Sequence, residues 1–247
     1  MDARRVLTPS GWSGPSRIRV DDGVVVAVDP VDHVATDRSV VPGFVDLQVN
    51  GIDDIDVADA DGADWDRLDA LLLAQGVTAW CPTLISAPLE EYRTPLLRIA
   101  EAMNRADGVR PLLVGAHLEG PFLGGAPGAH PRRHLVPVDL AWLSALPDHV
   151  AVVTVAPEQP DSVRATEMLV AAGRLVALGH TTASGDQVDA MAAAGAGLAT
   201  HLFNGMSGVH HRDPGVAAFV MTNHRLSASL IADGVHVHPR VLRLAWQ

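Results

Sequence analysis

Three residues that can bind metal ions lie at the ends of short apolar runs in the sequence. Glu119 and His180 directly follow such runs, and His201 lies within another. One carboxylate and two imidazoles are typical ligands of catalytic zinc, which keeps a further position open for water. An ion held there would lower the pKa of that water and polarise a carbonyl group. The three residues are therefore a candidate divalent-metal site, provided that the fold brings them together.

Each of these residues also has a purely structural interpretation. A single histidine at a strand end more often makes a structural hydrogen bond than binds a metal. Glu119 would then only cap the turn at Gly120-Pro121. His117 shares a strand face with Glu119, because side chains alternate with a period of two. It either orients the carboxylate or simply packs in the interior, and the sequence leaves both interpretations open.

The elements that must position these residues begin near residue 40. Apolar runs alternate there with helical patterns, which predicts a parallel sheet covered by helices. Glycines close three of the helical patterns, at Gly76, Gly173 and Gly195. A doubly wound open sheet is the alternative, disfavoured because no glycine-rich phosphate loop follows the first run. The seven predicted strands are 40–47, 77–85, 112–118, 150–156, 175–178, 198–203 and 226–232.

The first 40 residues have a different pattern. Two short β-rich runs, 17–20 and 24–28, flank Asp21-Asp22-Gly23, which predicts a β-hairpin. We therefore expect two domains: residues 1–40 as part of a small β-domain, and residues 41–247 as a barrel in which carboxyl-end residues of separate strands meet at one mouth.

Composition limits the classes of partner. The net charge of −11 disfavours nucleic acid, because phosphate backbones require a basic face. No apolar stretch is long enough to predict a membrane span, and the N-terminus does not resemble a signal peptide. Cys81 is the only cysteine of the 247 residues, which fits a reducing compartment and predicts a cytoplasmic protein.

Six motifs in order resemble one protein family. The segment VPGFVDLQVNG at 41–51 resembles the first barrel strand of the amidohydrolase superfamily. The other five resemble the N-acetylglucosamine-6-phosphate deacetylase family within it, so that the resemblance covers residues from about 40 to 238. They are HLEGPF at 117–122, GHT at 179–181, THLFNGM at 200–206, RDPG at 212–215 and ADGVHV at 232–237.

The resemblance implies a fold, a reaction and a set of residues. The fold is a (β/α)8 TIM-type amidohydrolase barrel with part of a small N-terminal β-sandwich. The reaction is hydrolysis of the acetamide of N-acetylglucosamine 6-phosphate to glucosamine 6-phosphate and acetate. The implied partner is this amino-sugar phosphate, and we expect a homodimer. The implied residues are Glu119, His180 and His201 as metal ligands, His130 for substrate binding and carbonyl polarisation, and Arg212, His236, Asn204 and Gly205 for substrate binding.

Two departures from the family pattern refine these expectations. Gln48 and Asn50 stand where two-metal members of the superfamily carry histidines, and carboxamides bind transition metals poorly. One divalent ion per chain, zinc, is therefore expected. The family's general base is an aspartate at the end of strand eight, and no residue here matches it, since Asp233 belongs to the strand-seven motif. The sequence thus predicts an incomplete barrel of about seven strands, inactive on its own.

Two other functions stay open at this stage. The chain is either another amidohydrolase, acting on a cyclic amide or deaminating a ring, or a non-catalytic binder of sugar phosphates or metal. Arg212 and the loop of Asn204 favour the phosphosugar, because a guanidinium matches phosphate oxygens. His210 and His211 are predicted to be loop residues, with one able to reach across a dimer interface.

Overall fold

The computed structural model describes residues 1–106 and 108–246. Contacts divide the chain after Phe44 into two compact units, whereas the sequence pattern placed the boundary after residue 40. None of the helices in these residues is both long and apolar enough to span a membrane.

The first unit consists of two small sheets that share an apolar core of Ala3, Val6 and Ile18. The predicted hairpin is confirmed: its strands pair antiparallel, and Asp22 and Gly23 both have positive φ, as a tight two-residue turn requires. The sheet orders are β1-β4-β5 and β3-β2-β6, built from β1 Asp2–Ala3, β2 Arg5–Thr8, β3 Gly11–Trp12, β4 Ser16–Asp21, β5 Val24–Pro30 and β6 Ser39–Val40.

The second unit is built on one curled, mainly parallel sheet, which confirms the predicted incomplete barrel. Its strands are β7 Phe44–Val49, β10 Val77–Leu84, β11 Leu112–Leu113, β12 Ala116–Glu119, β13 Val150–Val155, β14 Leu175–Leu178, β15 Leu198–Ala199 and β16 Ser227–Ala228. The spatial order is β7-β10-β12-β13-β14-β15-β16, with β11 also paired to β10. A small hairpin of β8 Gly51–Ile52 and β9 Ile55–Asp56 follows β7.

Helices cover the outer face of this sheet, as the sequence predicts. Gly76, Gly173 and Gly195 lie directly beyond the C-caps of three of them with φ of 81°, 78° and 108°, a conformation that glycine adopts at little cost. The helices are α1 Asp64–Ala74, α2 Arg93–Met103, α3 Leu140–Ser144, α4 Ser162–Ala171, α5 Gly185–Ala193, α6 Gly215–Thr222 and α7 Pro239–Ala245, with 3-10 turns at Leu89–Tyr92 and Arg132–His134.

Four predicted strands differ clearly from the observed ones, and one of them, the third predicted strand at 112–118, is divided into β11 and β12. The sixth and seventh were expected to run to residues 203 and 232, but β15 ends at Ala199 and β16 at Ala228. His201 has a φ of 33°, which is incompatible with a strand, so the backbone turns away there. The first strand begins at Phe44 instead of residue 40, after Pro42, which has no backbone N–H to donate to a ladder.

The interior of the barrel is layered. A lower layer is apolar and consists of Cys81, Val152, Ala177 and Leu198. Two residues further along three of these strands lie the buried hydroxyl residues Thr83, Thr154 and Thr200. Since side chains two apart point to the same face, the second layer is polar, and it lies directly beneath the carboxyl ends of the strands.

Candidate metal centre

Glu119, His180 and His201 reach the centre of the barrel from three different strands. Glu119 is the last residue of β12, and the two histidines each lie two residues beyond the ends of β14 and β15. Their side chains are only 4%, 8% and 7% exposed. Both histidines have positive φ, of 50° and 33°, a strained conformation for residues with a Cβ. The backbone is bent at both positions so that the imidazoles face Glu119.

The three side chains meet at a single point. Glu119 Oε1 lies 3.0 Å from His180 Nε2 and 2.8 Å from His201 Nε2, and the two Nε2 atoms are 3.0 Å apart. A tetrahedral ion with bonds of ~2.0–2.1 Å places its ligand atoms roughly 3.3 Å from one another. The spacing of the three atoms is therefore close to that of a metal-ligand set.

The Nδ1 atoms of the two imidazoles, which point away from Glu119, face backbone carbonyl oxygens. His180 Nδ1 faces the carbonyl oxygen of Ala126 at 3.2 Å, and His201 Nδ1 faces that of Asn204 at 3.1 Å. A carbonyl oxygen only accepts, so Nδ1 carries the proton and a neutral ring presents the Nε2 lone pair. When both rings are neutral, two Nε2 lone pairs and one carboxylate oxygen face one another, an arrangement that suits a cation.

Glu119 is ionised in this setting. Burial alone would raise the pKa of its carboxyl group, but hydrogen bonds from the imidazoles of His130, His180 and His201, each donated by a protonated Nε2, outweigh burial and hold that pKa well below its usual range. The buried negative charge therefore has to be balanced by positive charge nearby.

A third histidine, His130, lies beside this set. His130 Nε2 is 3.4 Å from Glu119 Oε2, and its ring packs edge-on against that of His180 with centroids 4.3 Å apart. Ligand atoms of Glu119, His130 and His180 all fall within 4.8 Å of one another, so that proximity alone admits His130 as a ligand. His201 is the better candidate, because its Nε2 lies 2.8 Å from Glu119 Oε1, closer than His130 Nε2 lies to Oε2. Its Nδ1 also faces a carbonyl oxygen, which leaves Nε2 as the nitrogen for a metal ion.

His130 differs from the other two histidines at its far nitrogen. Its Nδ1 accepts a hydrogen bond from the backbone N–H of Ser86 at 3.3 Å. An N–H group can only donate, so Nδ1 presents its lone pair and Nε2 carries the proton of the neutral ring. His130 therefore faces the centre with a donor, whereas neutral His180 and His201 face it with Nε2 lone pairs, as metal ligands must.

Hydrogen bonds beneath the centre hold Glu119 in place. The Thr200 hydroxyl donates to Gln48 Oε1, which turns the Gln48 amide so that Nε2 donates to Glu119 Oε1 at 2.7 Å. His117 is bonded instead to the carbonyl oxygen of Leu47, at 2.8 Å, and to the Thr154 hydroxyl, at 2.7 Å. These contacts favour interior packing of His117 in the polar layer over a direct role in orienting the Glu119 carboxylate.

Three residues of the site were missed by sequence reasoning. Glu158 accepts hydrogen bonds from the N–H groups of Gly125 and Thr182, both at 2.9 Å, and so ties the loop before His130 to the loop after His180. Ser86 lies two residues beyond the end of β10, and Thr200 lies directly beyond β15. The signal for all three was a polar residue at a strand's carboxyl end, the same signal that identified Glu119.

The loop after β15 supports the histidines through its backbone. The carbonyl of Gly205 accepts from Thr181 N–H at 2.9 Å, and a Cβ at Gly205 would lie 2.8 Å from His180 Nδ1, so no side chain fits there. The side-chain Nδ2 of Asn204 is buried and has no partner among the described residues. Such a group is rare in folded proteins and is suited to a ligand acceptor.

Arg212 and His236 lie outside this cluster. Arg212 is exposed on the loop before α6, and no hydrogen bond or ion pair of its side chain is seen in residues 1–106 and 108–246. His236 is exposed in a turn, where its Nδ1 lies 2.6 Å from Asp233 Oδ2. Hydrogen bonds from the backbone N–H and ring of His236 and from Val235 N–H lower the pKa of Asp233 to about 2.

Comparisons with known proteins identify similar chains. The protein is 37% identical over 250 residues to N-acetylgalactosamine-6-phosphate deacetylase of Escherichia coli O157:H7, covering 98% of this chain and 66% of the relative. It is 38% identical to N-acetylglucosamine-6-phosphate deacetylase of Bos taurus over 83% of this chain and 53% of the relative. The chain thus spans about half to two thirds of these two relatives. No protein-family model matches it.

Solved structures give the same result. The crystal structure of N-acetyl-D-glucosamine-6-phosphate deacetylase from Mycobacterium smegmatis superposes with a TM-score of 0.88 at 32% identity, covering 99% of this chain and 71% of that one. A mutant of the same enzyme in complex with N-acetyl-D-glucosamine-6-phosphate also gives a TM-score of 0.88, with 66% of its length covered. The similarity therefore includes both units of the chain.

Proposed function

Because the chain belongs to the N-acetylglucosamine-6-phosphate deacetylase family, we propose that it serves the hydrolysis of the acetamide of an N-acetylhexosamine 6-phosphate. The products are acetate and the amino-sugar phosphate. The observation that carries this proposal is the convergence of Glu119 Oε1, His180 Nε2 and His201 Nε2 within 3.0 Å. The names of the relatives support the substrate class.

Glu119, His180 and His201 hold one divalent metal ion in this proposal. Imidazole and carboxylate ligands suit zinc. Gln48 stands where a second metal ion would need a histidine, and its neutral amide is bonded to Glu119 and Thr200 instead. When bound, the ion polarises the substrate carbonyl and makes water a stronger nucleophile. The carbonyl oxygens of Ala126 and Asn204 keep the two imidazoles oriented towards the ion.

His130 stabilises the negative charge that develops on the carbonyl oxygen of the substrate. Its Nε2–H faces the centre, and a donor placed there before the reaction starts needs no reorganisation when charge appears. The unpaired Nδ2 of Asn204 supplies a further donor to the substrate, and Gly205 leaves room beside His180.

Arg212 and His236 bind the phosphate group in this proposal. The guanidinium offers a planar pair of donors, and its side chain is exposed and without a partner among the described residues. His236 adds a second donor, and Asp233, which accepts from its Nδ1, fixes its orientation. The Arg212 side chain, which is exposed and has no partner among the described residues, is free to close on a phosphate when it is present.

Acetate release is the test of this function. The metal-loaded protein is assayed with N-acetylglucosamine 6-phosphate, N-acetylgalactosamine 6-phosphate and unphosphorylated N-acetylglucosamine, before and after chelation. We expect chelator-sensitive release from a phosphorylated sugar by a version extended with the C-terminal segment of a family relative, and little release by the 247 residues alone, in which no residue matches the family's general base. Hydrolysis of a cyclic amide, followed separately by loss of the substrate, without acetate release from the sugars would indicate another amidohydrolase, and tight binding of a phosphosugar without release would indicate a binding protein.

The cellular location and the oligomeric state stay predictions. Burial raises the pKa of the Cys81 thiol to about 12, so that the thiol is an unreactive core group. We propose a cytoplasmic location, where a free thiol stays reduced. A homodimer is proposed as well, and sedimentation equilibrium of the purified protein tests it.

A further inference from the structure

Ser86, in the loop after β10, contacts two histidines of the segment 130–134. Its hydroxyl oxygen lies 2.9 Å from His130 Nδ1, and its N–H donates to the same nitrogen at 3.3 Å. Its carbonyl oxygen faces His134 Nδ1 at 3.3 Å. Ser86 is only 2% exposed, so that these protein groups, and not water, surround it.

The Ser86 hydroxyl lies in space left by Gly120. A Cβ on Gly120 would lie 2.4 Å from Ser86 Oγ, so that the hydroxyl occupies the space above the residue that follows Glu119. The glycine there has a φ of 91° and allows this close approach. The absence of a side chain at residue 120 thus leaves the space in which the Ser86 hydroxyl lies beside His130 Nδ1.

Two donors on one imidazole nitrogen determine the tautomer of the ring. The N–H of Ser86 can only donate, and with Nδ1 already an acceptor, the hydroxyl also donates to it. The proton of neutral His130 is therefore displaced to Nε2, the nitrogen 3.4 Å from Glu119 Oε2. The opposite arrangement would place the Ser86 backbone N–H against an Nδ1–H and leave Nε2 without a proton for the substrate.

We propose that Ser86 is a positioning residue that keeps His130 in its Nε2–H tautomer and so makes it a donor towards the reacting carbonyl. This inference rests on the proposed role of His130 in deacetylation. It adds a residue that does not contact the substrate and that acts only through the imidazole.

Nitrogen NMR of the histidine rings tests the tautomer directly. The protein is labelled with 15N-histidine, and the His130 signals are assigned by their loss in His130→Gln. At neutral pH we expect an unprotonated Nδ1 and a protonated Nε2 in the unsubstituted protein. Protonation mainly at Nδ1 would overturn the proposal.

Substitution of Ser86 separates the hydroxyl from the backbone. Ser86→Ala removes one of the two donors, and since a hydrogen bond contributes about 0.5–1.5 kcal/mol, the Nδ1–H population should rise about two- to tenfold. Ser86→Thr keeps the hydroxyl and should restore the original tautomer. Ser162→Ala is the matched control, because Ser162 is equally buried but donates to Pro157. An unchanged tautomer in Ser86→Ala would overturn the proposal.

Kinetics distinguish this inference from the proposed function. If the protein releases acetate, Ser86→Ala should lower kcat about two- to tenfold with KM and metal content unchanged, and Ser86→Thr should recover it. A shifted tautomer without a change in kcat would overturn the catalytic consequence. Absence of acetate release from every variant, also in the extended version, would defeat the proposed function, while the NMR result would still decide the tautomer.

Discussion

The buried metal centre and the exposed phosphate-binding candidates differ in how the fold positions them. Glu119, His180 and His201 are at most 8% exposed and are fixed by contacts at both ends of each side chain. Arg212 and His236 lie on loops, and His236 remains 53% exposed at its side chain. The first group is placed by the sheet, whereas the Arg212 side chain has no partner among the described residues and would be ordered only by the phosphate that we propose it binds.

This difference has an energetic consequence. A preorganised group has already met the cost of its orientation during folding, so that its removal affects binding strongly. A mobile side chain loses rotamer entropy when it closes on a ligand, which reduces its net contribution. Substitutions in the centre should therefore have larger effects than substitutions in the loops.

The largest effect is expected for the metal ligands themselves. Groups that only orient a metal ligand contribute about 10–100-fold in metal affinity, so His180→Ala and His201→Ala should each lower affinity by more than about 100-fold. Metal content after dialysis against a weak chelator measures this. His224→Ala is the control, since His224 is exposed outside the centre. Full metal retention by either ligand variant would refute the assignment.

His130 should behave differently from the two ligands despite being equally buried. His130→Gln is expected to keep the metal and to reduce acetate release by the extended version about 10²–10³-fold, as loss of a donor to a developing oxyanion does. Metal analysis and steady-state rates on the same sample separate the two effects. Loss of the metal from this variant would show that His130 is a ligand.

Arg212→Ala should weaken binding of the phosphosugar with no effect on the unphosphorylated sugar. A hydrogen bond to a charged group contributes about 1.5–3 kcal/mol, so about a ten- to hundredfold loss of affinity is expected. Calorimetry with both ligands measures the difference, and Arg225→Ala provides an exposed control on the next loop. Equal losses for the two ligands would exclude a phosphate role.

The smallest effect concerns Asp233. Its pKa of about 2 lies below the ordinary value of 3.8, so its stabilisation of the turn is present above pH 3.8 and is lost as pH falls towards 2. NMR of the carboxyl carbon should give a midpoint near 2, rising towards 3.8 in His236→Ala. An unchanged midpoint in that variant would show that His236 is not its partner.

The sequence alone predicts the strands and helices better than it predicts the backbone of the candidate metal centre. Strand–helix alternation and terminal glycines such as Gly76 predict the sheet and helices well, because burial and backbone conformation impose local patterns. Polar residues at strand ends predict Glu119, His180 and His201. The backbone bend at His201, which ends β15 early, depends on contacts with Asn204 and Ser229 that no local pattern contains.

The tautomers could not be predicted for the same reason. Ser86 and His130 are 44 residues apart in the chain, and Ala126 and His180 are 54 apart. Whether an N–H or a carbonyl faces a ring nitrogen depends on the path of each loop. Sequence reasoning therefore finds the histidines, and the structure distinguishes the donor from the ligands.

A crystal structure of the zinc-loaded protein, with anomalous data collected at the zinc edge, tests the metal centre most directly. We predict one peak per chain within bonding distance of the Glu119 carboxylate, His180 Nε2 and His201 Nε2, with His130 Nε2 outside bonding distance. A peak bonded to His130 instead of His201, or no peak at Glu119, would contradict the account.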